Sequence, residues 1–414
     1  MKSLSVLQTL KKAPYALLIL LSCMPILTID WISKILLVFF VTTIAFNTKE
    51  IKENFAKIGA KPILINCGFY FVLIISLSYS PLKNKGLDIL VRELSILLIP
   101  IALIYALKVT KKLIKIITTL FIATNIIAAI YLIIKLNLVH EIIVNPSEFF
   151  NKRYFIDIAL IETKEWHPTF IALNNLISIL VLIQVSFNTT NIYKRLGAIL
   201  IIVFFFFFFF ILNSRIILLL ALLMIPTFIL IKLKSYTYKS IVVVLLIASA
   251  TTIFIASKNN KFGRIFMKPI TYYMENFDAE EFFGSRYRIQ SCSVELIKEK
   301  PIFGYGIGYE KWLLPRYCLE IRNFKDQYLQ NYSSHNVYLS LLFSAGIFGL
   351  LPFLLLLYNN LRLGIRKKDT MYVAILVIFI ICFLTENYFI RLNGIVLFTF
   401  INTYFYKKNK LQLD

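Results

Sequence analysis

The chain has 414 residues, 59% of them hydrophobic and 16% charged, with a mean hydropathy of +0.76. That is far from the mix of a soluble domain and marks an integral membrane protein. A net charge of +23 would suggest nucleic acid in a soluble chain, but here each cation must first be assigned to one side of a bilayer, and no nucleic-acid partner is expected.

In chain order, apolar runs long enough to span fall near 13–28, 32–47, 62–79, 86–107, 113–137 and 169–187, then near 196–212, 214–232, 239–257, 335–358, 371–387 and 389–406. The expected fold is an all-α polytopic membrane protein of about twelve transmembrane helices. Every second connection is basic: Lys11 and Lys12, then Lys49, Lys52 and Lys57, then Lys108, Lys111 and Lys112, and so on to Lys407, Lys408 and Lys410. By the positive-inside rule both termini are cytoplasmic. Lys11 and Lys12 before a short apolar run resemble a signal peptide, but no small-residue cleavage pattern follows and further spans do, so neither cleavage nor lipidation is expected.

Two connections are long, about 138–168 and about 258–334, and both fall on the outer side. The expected organisation is nine spans over 1–257 including the outer loop 138–168, a large helical periplasmic loop over 258–334, and three spans with a cytoplasmic C-terminus over 335–414. Long ordered loops carry function, so the site is sought there.

Within the large loop, Ile289, Val294, Leu296 and Ile297 recur at helical spacing and Pro301 stops the helix, predicting an amphipathic segment lying on the membrane surface. A second short helix is expected around 311–320, bent at Pro315. Between them runs Pro301-Ile302-Phe303-Gly304-Tyr305-Gly306-Ile307-Gly308. It lacks the preceding strand and the spacing of a dinucleotide loop, and reads as a tight turn that brings backbone close to a neighbour. Of five cysteines only Cys292 and Cys318 lie in this loop, where an oxidising compartment permits a disulfide.

The polar residues at the outer ends of spans are His167, Arg215, His335, Glu386 and Arg391, joined by Arg286 and Arg288 from the loop. Taken singly, each has a plain alternative: Arg215 and Arg391 can snorkel to headgroups, and Asp88 and Arg92, four apart, are expected to form an intrahelical ion pair. Glu93 has no evident partner. Ser333 and Ser334 are the expected N-caps of the span that His335 opens. Several arginines with a histidine at the water boundary suit an anionic lipid-linked diphosphate, because guanidinium binds phosphate bidentately and stays charged, while histidine can take a proton from an attacking hydroxyl. The three histidines, His140, His167 and His335, show no metal-ligand spacing, so no metal is expected.

His335-Asn336, nine further residues and Gly346-Ile347-Phe348-Gly349 resemble the signature of the O-antigen ligases, a family related to O-antigen polymerases and protein O-oligosaccharyltransferases. The segment from Arg286 to Gly308, His167-Pro168-Thr169 and Asn213-Ser214-Arg215 also look familial. The resemblance implies a GT-C-like inverting glycosyltransferase that needs neither metal nor other cofactor. It would move a glycan from undecaprenyl diphosphate to lipid A-core at the periplasmic face of the bacterial inner membrane. His335 would be the catalytic base or its close partner. Arg215 and Arg288 match the diphosphate-contacting positions, with Arg286 equally placed because Ser-Arg-Tyr-Arg leaves the alignment ambiguous by two residues. Asn336, His167, Glu386 and Arg391 are further candidates for the donor or acceptor site. A polymerase would share donor and signature and differ only in acceptor; a flippase or other transporter is the reading from a different class.

Overall fold

The computed structural model describes residues 11–135, 137, 140, 144, 167–212, 214–237, 239–240, 279–322 and 333–412. Among these residues the secondary structure is entirely helical. In chain order the α-helices are α1 (Ala13–Leu21), α2 (Ile29–Ile58), α3 (Lys61–Ser76), α4 (Lys83–Glu93), α5 (Ser95–Ile101), α6 (Lys111–Lys135), α7 (Pro168–Asn188) and α8 (Ile192–Leu212). There follow α9 (Arg215–Lys232), α10 (Ala279–Glu299), α11 (Glu310–Arg316), α12 (Val337–Arg366), α13 (Thr370–Thr385) and α14 (Leu392–Tyr406).

Among the described residues seven helical segments are long and apolar enough to cross a membrane: Ile29–Ile58, Lys61–Tyr79, Lys83–Ala106, Lys111–Lys135, Pro168–Asn188, Ile192–Phe209 and Val337–Arg366. Two more, Ile216–Lys232 and Thr370–Thr385, are apolar but shorter. The first expected span forms only the nine-residue α1 followed by turns, and the last only the fifteen-residue α14. The ninth, 239–257, lies outside the described residues apart from its start. The second runs well past its expected end: Thr28 caps it and it continues through Lys49, Lys52 and Lys57 to Gly59, across a break at Asn47. Lys and Glu are good helix formers, so the polar stretch prolongs the helix where hydropathy alone predicts a loop.

α12 packs against α3 and α13, and the side chains of Phe348, Leu351, Leu355 and Tyr358 leave another of its faces exposed. In lipid the helices gain little from hydrophobicity and are held by close packing and interhelical hydrogen bonds. Both are present. Phe353 meets Phe69, Phe383 and Phe389 with ring centroids 5.2 to 5.6 Å apart. Further along, Asn360 donates to Asn402 Oδ1 at 2.9 Å, Asn402 to Asn66 Oδ1 at 3.0 Å, and Tyr372 to Asn402 Oδ1 at 2.8 Å, joining α3, α12, α13 and α14.

The helix α10 corrects one expectation. Its apolar face does not lie open for a membrane surface: Ile289, Cys292 and Leu296 are buried with Leu314, Cys318, Tyr305 and Phe343 in a small core of their own. Cys292 and Cys318 are joined by a disulfide, Cα to Cα 5.8 Å. α11 starts at Glu310 and passes at Tyr317 into a wider helical turn.

The glycine-rich turn fastens this unit to the bundle. α12 breaks at Gly346 (φ 60°, ψ −153°), which frees carbonyls of the preceding turn. Tyr305 N–H donates to Phe343 O at 2.7 Å and Gly306 N–H to Ser344 O at 3.0 Å, while Ile347 N–H donates to Pro301 O at 2.9 Å. A β-carbon on Gly346 would stand 2.1 Å from Ile302 O, and one on Gly306 2.5 Å from Ser80 Cα. Gly304, Gly306 and Gly308 all have positive φ, so backbone lies against backbone here for both steric and conformational reasons.

Candidate functional site

The site forms where α10, the segment before α12, the α13–α14 connection and the start of α7 meet. His335 does not open α12; it lies two residues before it, with φ +48°, a left-handed conformation uncommon for a residue with a side chain. The residues on both sides hold it there. Ser334 N–H donates to Glu310 Oε1 at 2.8 Å and Ser334 Oγ donates to Asn336 O at 3.2 Å. Asn336, and not Ser333 or Ser334, is the N-cap: its Oδ1 accepts from Leu339 N–H at 3.1 Å, and its Nδ2 donates to Leu384 O at 3.1 Å. Glu310 is itself buried, with Oε2 accepting from Ser340 Oγ at 2.6 Å. Strain of this kind, on the order of 1–3 kcal/mol, persists only where neighbours over-determine it, and it collects at working sites.

His335 Nδ1 donates to Glu386 Oε1 at 2.8 Å. That bond assigns the proton to Nδ1 and leaves Nε2 as the basic nitrogen. The other carboxylate oxygen meets Arg286 Nη2 at 3.4 Å, and Arg286 Nη1 donates to Thr385 O at 3.3 Å. Burial would by itself raise the pKa of Glu386, but the His335 hydrogen bond and the charges of His335, His167 and Arg286 more than offset it, and the carboxyl is held below the usual glutamate value. An ionised Glu386 therefore links His335 to Arg286. Both of Arg286's contacts are long and its side chain is 53% exposed, so most of its five donors remain available to an anion.

His167 precedes α7 and stacks edge-on against Phe170, ring centroids 5.8 Å apart. Its Nδ1 is buried without a hydrogen bond. Burial, together with the charges of Arg391, Arg286 and His335 and despite Glu386, pushes its pKa down to about 4, so it is a neutral imidazole at ordinary pH. Arg391, at the start of α14, holds its guanidinium over the ring of Phe170 at 6.0 Å.

The structure thus brings His167, Arg286, His335, Glu386 and Arg391 together. Arg288, two residues beyond Arg286 on α10, is turned roughly 200° round the helix, so of the Ser-Arg-Tyr-Arg pair it is Arg286 that meets Glu386. Arg215 opens α9 after its N-cap Ser214, and its side chain lies outside the described residues. Asn336 caps a helix and ties it to α13. The expected Asp88–Arg92 ion pair is absent: Arg92 Nη1 instead donates to Ile390 O at 2.9 Å, in the stretch following Glu386. Sequence reasoning passed over Glu310, because a single acid in a short helix has no periodic signature until the chain folds Ser334 and Ser340 onto it. Among the described residues no three His, Cys, Asp or Glu side chains gather as a metal site.

Long apolar helices and a solvent-facing cluster of histidine, carboxylate and arginine define a polytopic membrane protein with polar chemistry at one end of its bundle. Residues 169–354 match the family model described as O-antigen ligase, and over them the chain carries an O-antigen ligase family domain. The match runs from α7 into α12 and includes Arg215, Arg286, Arg288, His335 and Asn336; Glu386 and Arg391 lie beyond it. Members of this family are membrane glycosyltransferase-like enzymes, ligases and polymerases, working on lipid-linked glycans, and at that level the protein is a membrane enzyme. No curated protein matches the chain.

Proposed function

We propose that the protein is an O-antigen ligase, transferring a glycan from undecaprenyl diphosphate to lipid A-core oligosaccharide at the periplasmic face of the bacterial inner membrane, with both termini cytoplasmic. The observation that carries this reading is the chain of contacts Arg286–Glu386–His335. A base oriented by a carboxylate stands beside an exposed guanidinium, as displacement of a diphosphate requires.

In the mechanism, an acceptor sugar hydroxyl attacks the anomeric carbon of the lipid-linked glycan with inversion. Its proton passes to Nε2 of His335, and the imidazolium is stabilised through Nδ1–H by Glu386. The bond from the anomeric carbon to the diphosphate oxygen breaks, and undecaprenyl diphosphate departs with the negative charge, which Arg286, together with Arg215, stabilises more in the transition state than in the ground state. The phosphoglycosyl bond supplies the driving force, so the step calls for no metal or nucleotide. His167, neutral and half-buried, and Arg391 complete the wall facing the donor, and Asn336 fixes where His335 stands. The unit of α10 and α11 stands over the site in this reading.

The test is the lipopolysaccharide profile of a strain lacking the protein, rescued with wild type or His335→Ala, alongside the extracted lipid-linked glycan. The ligase reading expects bare core, accumulated long lipid-linked chains, and no rescue by His335→Ala. Core carrying a single repeat unit would instead identify a polymerase, and full rescue by His335→Ala would remove the catalytic role altogether and favour a transporter.

A further inference from the structure

Beside residues 387–390 lies a second space lined by charged groups, a cavity of ≈ 340 Å³ bounded also by α4, the glycine turn, α11 and the first turns of α12. Its size falls in the range of small-ligand sites, roughly 300–1,000 Å³. It belongs to the same end of the bundle as the histidine site, since Val337 and Asn387, next to Asn336 and Glu386, line it.

Three features characterise its lining. Lys85, Arg92 and Lys311 bring positive charge to it, and the ammonium of Lys311 is disfavoured by its partial burial and by the neighbouring charges of Arg92 and Arg391. Glu93 also lines it: the side chain is only 6% exposed, yet its Oε2 is buried without a hydrogen-bond partner. A buried polar atom with nothing to bond is costly and calls for an explanation. Third, Trp312 on α11, 40% exposed, stands at the wall beside Lys311.

We infer that this cavity binds a saccharide, the anionic acceptor glycan, with Glu93 accepting a hydrogen bond from a sugar hydroxyl and Lys85, Arg92 and Lys311 holding a phosphate or carboxylate on that glycan. The mixture of charges selects this ligand. A bare diphosphate would leave the carboxyl groups of Asp88, Glu93 and Glu310 without donors; a polyhydroxyl compound carrying one anionic group uses both kinds of group, donating to the carboxyl oxygens and accepting from ammonium and guanidinium. The indole of Trp312 is itself stacked on Tyr309 at 5.0 Å with the Arg316 guanidinium over its ring at 3.9 Å, and at the wall it serves as a reporter of what enters the cavity. Arg92 bonds Ile390 O, so an anion seated on Arg92 lies one short segment away from Glu386. The assignment of this saccharide as acceptor rests on the ligase reading of the histidine site; the saccharide pocket itself does not.

The test uses the full chain in nanodiscs and the fluorescence of Trp312, with Trp312→Phe identifying its share of the emission among the three tryptophans. The probes are N-acetylglucosamine 1-phosphate, N-acetylglucosamine and inorganic phosphate. The sugar phosphate should shift the emission with a Kd at least about tenfold below that of inorganic phosphate. Glu93→Gln should weaken the sugar phosphate by about tenfold and leave inorganic phosphate unchanged, because only a hydroxyl uses that oxygen. Lys311→Gln should weaken both. Equal binding of phosphate and sugar phosphate, indifference of the sugar phosphate to Glu93→Gln, or no response to any probe overturns the inference. Transfer activity separates the two readings: if His335→Ala transfers glycan normally while Glu93-dependent sugar binding persists, the reading of the histidine site falls and the saccharide pocket stands.

Discussion

Replacing Glu386 with Gln removes one charge while keeping nearly the same shape. Its Oε1 lies 2.8 Å from His335 Nδ1 and the two side chains are 9% and 19% exposed. With charge centres about 4 Å apart and an effective dielectric near 20, the imidazolium formed during proton transfer is stabilised by up to ~4 kcal/mol. Screening at the half-open side of the site reduces this to about 2–4 kcal/mol, which is roughly a 30- to 900-fold loss in kcat. The neutral histidine gains far less from Glu386, so the loss falls on kcat and not on donor KM. The assay is glycan transfer in proteoliposomes at saturating donor. Combining Glu386→Gln with His335→Ala should add little to His335→Ala alone, because Glu386 acts through the imidazole. A kcat within about threefold of wild type, or a fully additive double variant, would refute the argument.

Gly346→Ala places a β-carbon 2.1 Å from Ile302 O at a positive-φ position and should cost more than about 3 kcal/mol, seen as loss of folded protein in the membrane; Gly197→Ala, with nothing within 4 Å, is the matched control and should express normally. Changing Cys292 and Cys318 together to Ser opens a loop of 26 residues and should lower stability by about 3.5 kcal/mol, read as a fall in Tm under oxidising conditions that disappears when wild type is reduced. His167 has a pKa of about 4 when folded, against an ordinary 6.5, so the unfolded chain binds the extra proton between those values. Stability in detergent should therefore decline by about 2–3 kcal/mol as pH falls from 6.5 towards 4, and His167→Gln should flatten that part of the Tm profile. Glu386, held below its usual value, contributes only further down, below pH 4.5, so the two windows are separable.

The residues of the cluster could be read from the chain because hydropathy is a local property: a run of about twenty apolar residues says where a span ends, and His167, His335, Glu386 and Arg391 stand out as the polar groups at those ends. The glycine turn was legible for a similar reason, since three alternating glycines have few uses besides close backbone approach. Composition and order alone thus determined that the protein lives in a membrane and which polar residues gather near its surface.

Pairings across long separations were not legible. Glu386 lies 51 residues from His335 and 100 from Arg286, and no local pattern says which carboxylate meets which cation. Arg92 illustrates the point: the local rule pairs it with Asp88 four residues away, whereas packing of α4 against the 386–391 segment offers it the Ile390 carbonyl. The apolar face of α10 is the same on a membrane surface or in a protein core, and only the position of Leu314, Cys318 and Phe343 decides between them. The left-handed backbone of His335 has no sequence signature, because the hydrogen bonds that Ser334 donates to Glu310 and to the Asn336 carbonyl impose it from outside the residue. Tertiary structure decided these matters because burial, pairing and strain are properties of neighbours in space, and the chain's own order specifies neighbours only along itself.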